Sequence, residues 1–553
     1  MTLTQTSTEY RDALFQRFSG RIQTNIDLAR KLVSYQANKE TPFYGWFKYR
    51  EGFTSQLIHY LLNKVHPTPG ILLDPFAGSG AALFGASSLG WTTCGIEVLP
   101  VGTYAIQAHI SADNVDPQLF AATAEQLKSI DFASFYDHSY DFGYIAITRG
   151  AFPEDTAEEL VGYIAYCNKY ITDEHVRRLA LFASFCILED ISYTRKDGQY
   201  LRWDARSNRS QGKIPFNKGE ILSFSQAIHA KLDQMVYDLL YGRFFDSGRR
   251  ADASAPQVIQ GSCLEVLPTI GDKSIDAILT SPPYCNRYDY TRTYALELVY
   301  LGASHDDVTK LRQDMLSCTV ENKVKREYIK KVYESLDRGI DFDRVEHVFR
   351  AQPALHEVLS ILDGLRVIDE LNNPNIVRMV RNYFYEMCFV VFEMSRVIAP
   401  GGHIIMVNDN VRYAGEEVPV DTILSSMAEA FGLIQIESGH SREEKETAAS
   451  RWALMGDRNC ESASMFGDGL QHDKPIGKIG ELILFRKIRC IAKIAILKFV
   501  KNIPCHRSCD SSTHEEQFWP MGAMFFETIA DSAESRTGGF PVFIGAGGIN
   551  ATF

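Results

Sequence analysis

The chain has no long hydrophobic run: nowhere does it approach the roughly 18 consecutive apolar residues of a membrane-spanning helix, so no membrane association is expected. Its opening residues, MTLTQTSTEYRDALFQRF, are polar and lack the apolar core of a secretion signal, which predicts a cytoplasmic protein. The eleven cysteines follow no framework spacing, which excludes a disulfide-stapled scaffold and fits reduced thiols. An excess of positive charge is also missing, because 57 Lys and Arg against 69 Asp and Glu leave a net charge of -12. Net charge describes the whole surface, so DNA binding would have to come from a local basic stripe. No internal repeat or low-complexity stretch stands out.

What is present is an ordinary globular composition, 45% hydrophobic and 23% charged over 553 residues, unlike disordered, collagen-like or coiled-coil chains. That length predicts a large catalytic core with inserted or appended modules. Residues 71–97 (ILLDPFAGSGAALFGASSLGWTTCGIE) read as strand, glycine-rich turn, helix and second strand. A second block starts at Gln257 and reaches the buried strand IDAILT, which ends in Ser-Pro-Pro-Tyr. A third follows an amphipathic helix over roughly Ile376 to Val397 and turns through Pro400-Gly401-Gly402 into HIIMVND; GLIQIES and ELILFRK read as closing strands. The alternation predicts an α/β fold, a doubly wound and mostly parallel Rossmann-like sheet with helical or irregular insertions.

About 150 residues separate Glu97 from Gln257, far more than a βαβ crossover needs. The expected organisation is therefore 1–105 as the N-terminal part of the catalytic domain, 106–250 as an inserted module for target recognition, 251–301 as catalytic domain continued, 302–374 as a helical insertion, 375–487 as the C-terminal catalytic part, and 488–553 as an unassigned tail. In that tail Cys505, His506, Cys509 and His514 do not match the spacing of a common zinc finger, so no metal site is expected.

Three motifs carry chemistry. Asp74-Pro75-Phe76-Ala77-Gly78-Ser79-Gly80 joins a hydrophobic strand to a helix, and its glycines permit a tight turn and close approach of a ligand to the backbone. A lone glycine turn would justify no more than that, and the string departs from the dinucleotide pattern Gly-x-Gly-x-x-Gly. Glu97 ends the second strand, where an acidic side chain can accept hydrogen bonds from both hydroxyls of a ribose. Thr280-Ser281-Pro282-Pro283-Tyr284 lies at the carboxyl end of a predicted central strand, where open α/β sheets bind ligands; its prolines stiffen the loop and leave carbonyls free to face a ligand.

Taken together and in this order, the three motifs resemble those of amino-methylating DNA methyltransferases of restriction-modification systems, over roughly residues 40–110 and 255–487. The resemblance implies S-adenosylmethionine as cofactor, its methionine part held by the loop of Asp74, Pro75, Phe76, Gly78 and Gly80, and its ribose by Glu97. The stretch Trp46 to Ser55 resembles the family's flanking motif, with Phe53 and Ser55 as candidates against the methionine end. Ser281, Pro282, Pro283 and Tyr284 would form the catalytic loop: the Ser281 side chain and the Pro282 carbonyl accept the two N–H groups of an exocyclic amine, and Tyr284 stacks on a base flipped out of double-stranded DNA. One departure concerns the cofactor's adenine: family members often carry an acidic residue beside it, where this chain has Gly261-Ser262-Cys263, with Ser262 as the candidate substitute.

Serine at the head of the tetrapeptide resembles the cytosine-N4 group, whereas Asp or Asn is commoner in adenine-N6 enzymes, so cytosine N4 is preferred and adenine N6 is the alternative. An RNA methyltransferase is the alternative from another class. Carbon-5 methylation needs a cysteine nucleophile in a Pro-Cys context, and Cys285 follows Tyr284. Between Ser192 and Gly219 seven basic residues face two acidic ones among Tyr, Trp and Phe, which makes Arg195, Lys196, Arg202 and Arg206 candidates for DNA contact. Arg287 and Arg292, just past the tetrapeptide, are candidates near the flipped base. A solvated basic loop is the plainer reading of the first group. A restriction endonuclease encoded nearby is the expected genetic neighbour.

Overall fold

A computed structural model describes residues 8–24, 41–49, 54–197, 200–209, 215–242, 255–440 and 481–487. The candidates Phe53, Cys505, His506, Cys509 and His514 lie outside the described residues. The strands are β1 (Ile22–Thr24), β2 (Ile71–Asp74), β3 (Thr92–Glu97), β4 (Thr194–Asp197), β5 (Tyr200–Trp203), β6 (Gln257–Gln260), β7 (Ile275–Thr280), β8 (Ile398–Asn408), β9 (Val411–Tyr413), β10 (Glu416–Val418), β11 (Leu433–His440) and β12 (Glu481–Lys487).

Eight of these strands form one sheet in the order β1-β11-β12-β8-β7-β2-β3-β6. All neighbours run parallel except β12, which is antiparallel to both β8 and β11. The mostly parallel sheet is the one predicted. The place of β12 between two strands that precede it was not, because an apolar run carries no signal of direction.

Strand sequences explain why helices cover both faces. Along β2, β7, β8 and β12 successive side chains enter different cores: Leu73, Ile278, Ile404, Met406, Ile483 and Phe485 go to one, and Leu72, Leu279, Ile405, Val407, Leu482 and Leu484 to the other. Strands apolar at every position suit a parallel sheet buried on both sides. The first core is filled mainly by the helix Ile376–Val397, the range its apolar periodicity predicts, together with Val420–Ala430 and the helices of residues 302–374. That insertion therefore forms part of the layer over the sheet. The second core holds the helices Ser55–Val65 and Ala81–Ser88; the side chain of Thr54 caps the former by accepting from Leu57 N. Pro400-Gly401-Gly402, expected as a turn before a strand, is an irregularity inside β8, whose register against β7 shifts there.

The long segment between β3 and β6 builds a third core from the helices Pro117–Lys128, Glu154–Tyr170, Glu174–Cys186 and Phe224–Tyr241, with the β4–β5 hairpin alongside. The helix Pro100–Asn114 runs through residue 105, so the chain enters this segment without a linker. Trp46, Phe47 and Tyr49, and Tyr294 to Val299 from beyond β7, belong to the same core. The Trp46 indole donates to Asp238 at 2.7 Å. No helix among the described residues is long and apolar enough to cross a membrane.

Candidate active site

The chain leaves β2 for β3 on one side and returns to β7 on the other, and this reversal opens a crevice at the carboxyl ends of the strands. A cleft of about 740 Å³, partly open to solvent, lies there. It is lined by the loop after β2, by Glu97, Val98 and Leu99 after β3, by Gly261 to Cys263 after β6, and by Ser281 and Pro283 after β7. Four separate loops thus meet because four parallel strands end side by side.

The loop after β2 is shaped by Gly78 (φ 55°) and Gly80 (φ 84°), both in the left-handed region. A Cβ on Gly78 would come within 2.8 Å of the Tyr49 ring, so the close approach of loop and ring also requires glycine. Gly78 N donates to Glu97 Oε2 at 2.6 Å and Leu99 N to Oε1 at 2.8 Å, which fixes the carboxylate at the cleft. The Asp74 Oδ1 atom accepts from Thr280 Oγ1 at 2.7 Å and from Phe76 N at 3.0 Å. Asp74 and Glu97 are both buried, and burial pushes each carboxyl up to about 7 despite these hydrogen bonds. A cationic ligand would reverse that push, whereas an anionic one would add to it.

Several candidates meet at this cleft and several do not. Asp74, Pro75, Phe76, Gly78, Glu97, Ser262, Ser281 and Pro283 line it. Gly80 is one step removed, as the residue that starts the helix Ala81–Ser88. Pro282 and Tyr284 are not among the lining residues, although the Ser281 hydroxyl reaches Tyr284 Oη over a long 3.3 Å. Ser55 sits in the first turn of its helix, away from the lining. From the same flanking stretch it is Tyr49 that lines the cleft, stacked on Tyr294 at 5.2 Å and 9°. Asp314, Met315 and Leu316, from the helical insertion, were not expected here, and nothing local in their sequence marks them. The Ser262 hydroxyl donates to the Asp314 carbonyl at 2.8 Å. Cys285 is fully buried beneath the loop.

The basic stretch behaves differently from its charge count. Lys196 is a correction: it is 3% exposed, paired with buried Glu297 and set over the rings of Phe47 and Tyr294, so it cannot face DNA. The alternation of β4 turns Lys196 inward and leaves its neighbour Arg195 exposed. Arg206 chelates Asp204 through two nitrogens at 2.7 and 2.9 Å, and Arg202 pairs with Asp197 while lying over Phe216. Lys218 donates to the carbonyls of Glu189 and Ser192, and burial pulls its ammonium down to about 8. Beyond the tetrapeptide, Arg287 is half-buried and donates to Asn372 at 2.9 Å, and Arg292 bridges Asp289 and Glu321.

The features of the cleft suit S-adenosylmethionine: a glycine loop open to close approach, and two buried carboxylates suited to a cation and a diol.

No family model matches the chain, and no solved structure matches it. Curated proteins do. The chain is 41% identical over 433 residues to the type II methyltransferase M.AvaI of Nostoc sp., and equally to the protein of that name from Anabaena variabilis. It is 37% identical over 448 residues to the type II methyltransferase M.BsoBI of Geobacillus stearothermophilus. Each match spans 77% of this chain and 86% of the relative.

Proposed function

Since the chain belongs to the type II methyltransferases, the site-specific DNA methyltransferases of restriction-modification that use S-adenosylmethionine, we propose that it methylates the exocyclic amine of a base flipped out of double-stranded DNA, cytosine N4 in preference to adenine N6. The observation that carries this reading is Ser281-Pro282-Pro283-Tyr284 at the end of β7, with Ser281 and Pro283 on the same cleft as Asp74 and Glu97.

When bound, the cofactor supplies a methyl group on a positively charged sulfur. The residues of this chain do the rest by position. Asp74 takes the cationic amino-acid end, and Glu97, already held by two backbone N–H groups, takes the ribose hydroxyls through its remaining lone pairs. An exocyclic amine is a weak nucleophile because its lone pair is delocalised into the ring. The Ser281 hydroxyl and the Pro282 carbonyl accept its two N–H groups and draw the nitrogen toward tetrahedral geometry. Tyr284 holds the ring by stacking, and the barrier falls mainly through orientation.

Residues 106–250 are assigned to target recognition, with Arg195, Arg202 and Arg206 toward DNA, and Arg287 and Arg292 beside the flipped base. Support for this is their place on the surface or beside the catalytic loop. A restriction endonuclease encoded nearby completes the proposal.

The test is expression in a methylation-free bacterial host, followed by genome sequencing that distinguishes N4-methylcytosine from N6-methyladenine. One sequence motif carrying N4-methylcytosine is the expected result. N6-methyladenine in one motif would overturn the choice of base, and an unmodified genome would overturn the DNA substrate.

A further inference from the structure

Three carboxylates line the cleft, and only two of them have been given work. Asp74 and Glu97 are already fixed by hydrogen bonds from Thr280, Phe76, Gly78 and Leu99. The third, Asp314, ends the helix His305–Asp314 of the segment between β7 and β8, and among the described residues no donor hydrogen-bonds its carboxylate. It is half-buried, and burial raises its carboxyl above the usual range, opposed by Lys310 and Lys325.

Its position is built rather than incidental. From the front, the Ser262 hydroxyl holds the Asp314 carbonyl. From behind, Lys325 donates to the Met315 carbonyl, and Glu386, fully buried in the helix Ile376–Val397, accepts from Ser317 N at 2.7 Å and from Lys325 Nζ at 2.8 Å. Buried ion pairs are costly to form and to break, so this one pins the turn to the long helix. Met315 and Leu316, both buried, add an apolar wall to the cleft beside Asp314, suited to a flat ring.

The strand ends fix the order of subsites: β2 carries Asp74, β3 carries Glu97, and β6 leads to Ser262. A ligand with its amino acid at Asp74 and its ribose at Glu97 has its purine toward the Ser262 end, where Asp314 is found. The donor that still lacks an acceptor there is the exocyclic amine of the purine. Ser262 gives its one proton to Asp314, and its neutral oxygen is a weaker acceptor than a carboxylate.

We propose that Asp314, supplied by the helical insertion, accepts the exocyclic amine of the cofactor's purine and selects a 6-amino over a 6-oxo purine in the methyl donor. This rests on the cofactor assignment made above. The test is titration calorimetry of the full chain with S-adenosylmethionine and with its 6-oxo, inosine-type counterpart. The native chain should prefer the amine by about 10- to 100-fold, the size of one hydrogen bond to a charged group. Asp314→Asn, whose amide both donates and accepts, should bring the two affinities within about threefold of each other. Asp314→Ala, which offers neither, keeps the test should the first variant fail to fold, and should narrow the same gap by weakening the amino ligand. A native chain that does not distinguish the ligands, or variants that retain the native ratio, would overturn the proposal and leave the cofactor assignment standing. Absence of S-adenosylmethionine binding to the native chain would overturn both.

Discussion

The cleft at the strand ends and the β4–β5 hairpin both gather charged side chains, yet they handle them in opposite ways. In the cleft, backbone N–H groups of Gly78, Leu99 and Phe76 hold Glu97 and Asp74. Among the described residues no cation pairs with either, so the carboxylates are positioned and available to a ligand. In the hairpin region the partners are other charged side chains and carbonyls: Lys196 with Glu297, Arg206 with Asp204, Arg202 with Asp197, and Lys218 with two backbone oxygens. Arg195 alone among these cations is exposed with no ion pair among the described residues. Charge that the backbone fixes is poised for binding, whereas charge fixed by opposite charge is mostly structure.

The largest effect expected from this contrast is on stability. Lys196→Met strands the buried carboxylate of Glu297 and should cost about 3–5 kcal/mol in denaturant unfolding, while the double change with Glu297→Leu should recover most of the loss. A stable single variant with weakened DNA binding would make Lys196 a contact residue after all. Next, Ser281→Ala should slow single-turnover methyl transfer by about 10²–10³, as loss of one preorganised hydrogen-bonding group does, with cofactor affinity unchanged by calorimetry. A proportional loss of cofactor affinity would place the hydroxyl in the wrong subsite.

The pH dependence separates the regions further. Asp74 and Glu97 titrate near 7 in the folded chain because of burial, well above ordinary carboxyls. Between about pH 4 and 7 the native state therefore holds more protons than the unfolded one, and the stability these groups contribute when protonated is lost as pH rises through that window. A cationic cofactor favours the ionised forms, so its affinity should rise by up to about tenfold per pH unit for each proton released, and level off above 7. Asp74→Asn should flatten the profile in part. A flat native profile would remove the cation-binding role. The smallest effect belongs to Arg195→Glu, which should weaken DNA binding across sequences and lower its salt dependence by about one phosphate contact; unaltered gel-shift affinity would take the hairpin out of the interface.

The same contrast explains what could be read from the residues alone. The place of Asp74 to Gly80, Glu97 and Ser281 to Tyr284 at the strand ends was legible because glycine and proline impose local backbone geometry and apolar strands end there. The two-faced apolar strands and the helix Ile376–Val397 followed from periodicity. Lys196 misled because a charge count does not say which way a strand turns its side chains. Asp314 escaped because it reaches the cleft only through the packing of an insertion, with Ser262 and Glu386 as its remote supports. The placing of β12 was hidden for a similar reason, since its partners are chosen by the sheet and not by its own composition.

That strand also has a history in time. Translation delivers β8 and β11 first, and neither meets its neighbour on the facing edge until the strand that separates them has left the ribosome. Until then β8, apolar on both faces, waits with one bare edge, the kind of surface that recruits other chains. Premature release before residue 481 would produce a polypeptide carrying every motif of the cleft and yet marked for the cell's quality control.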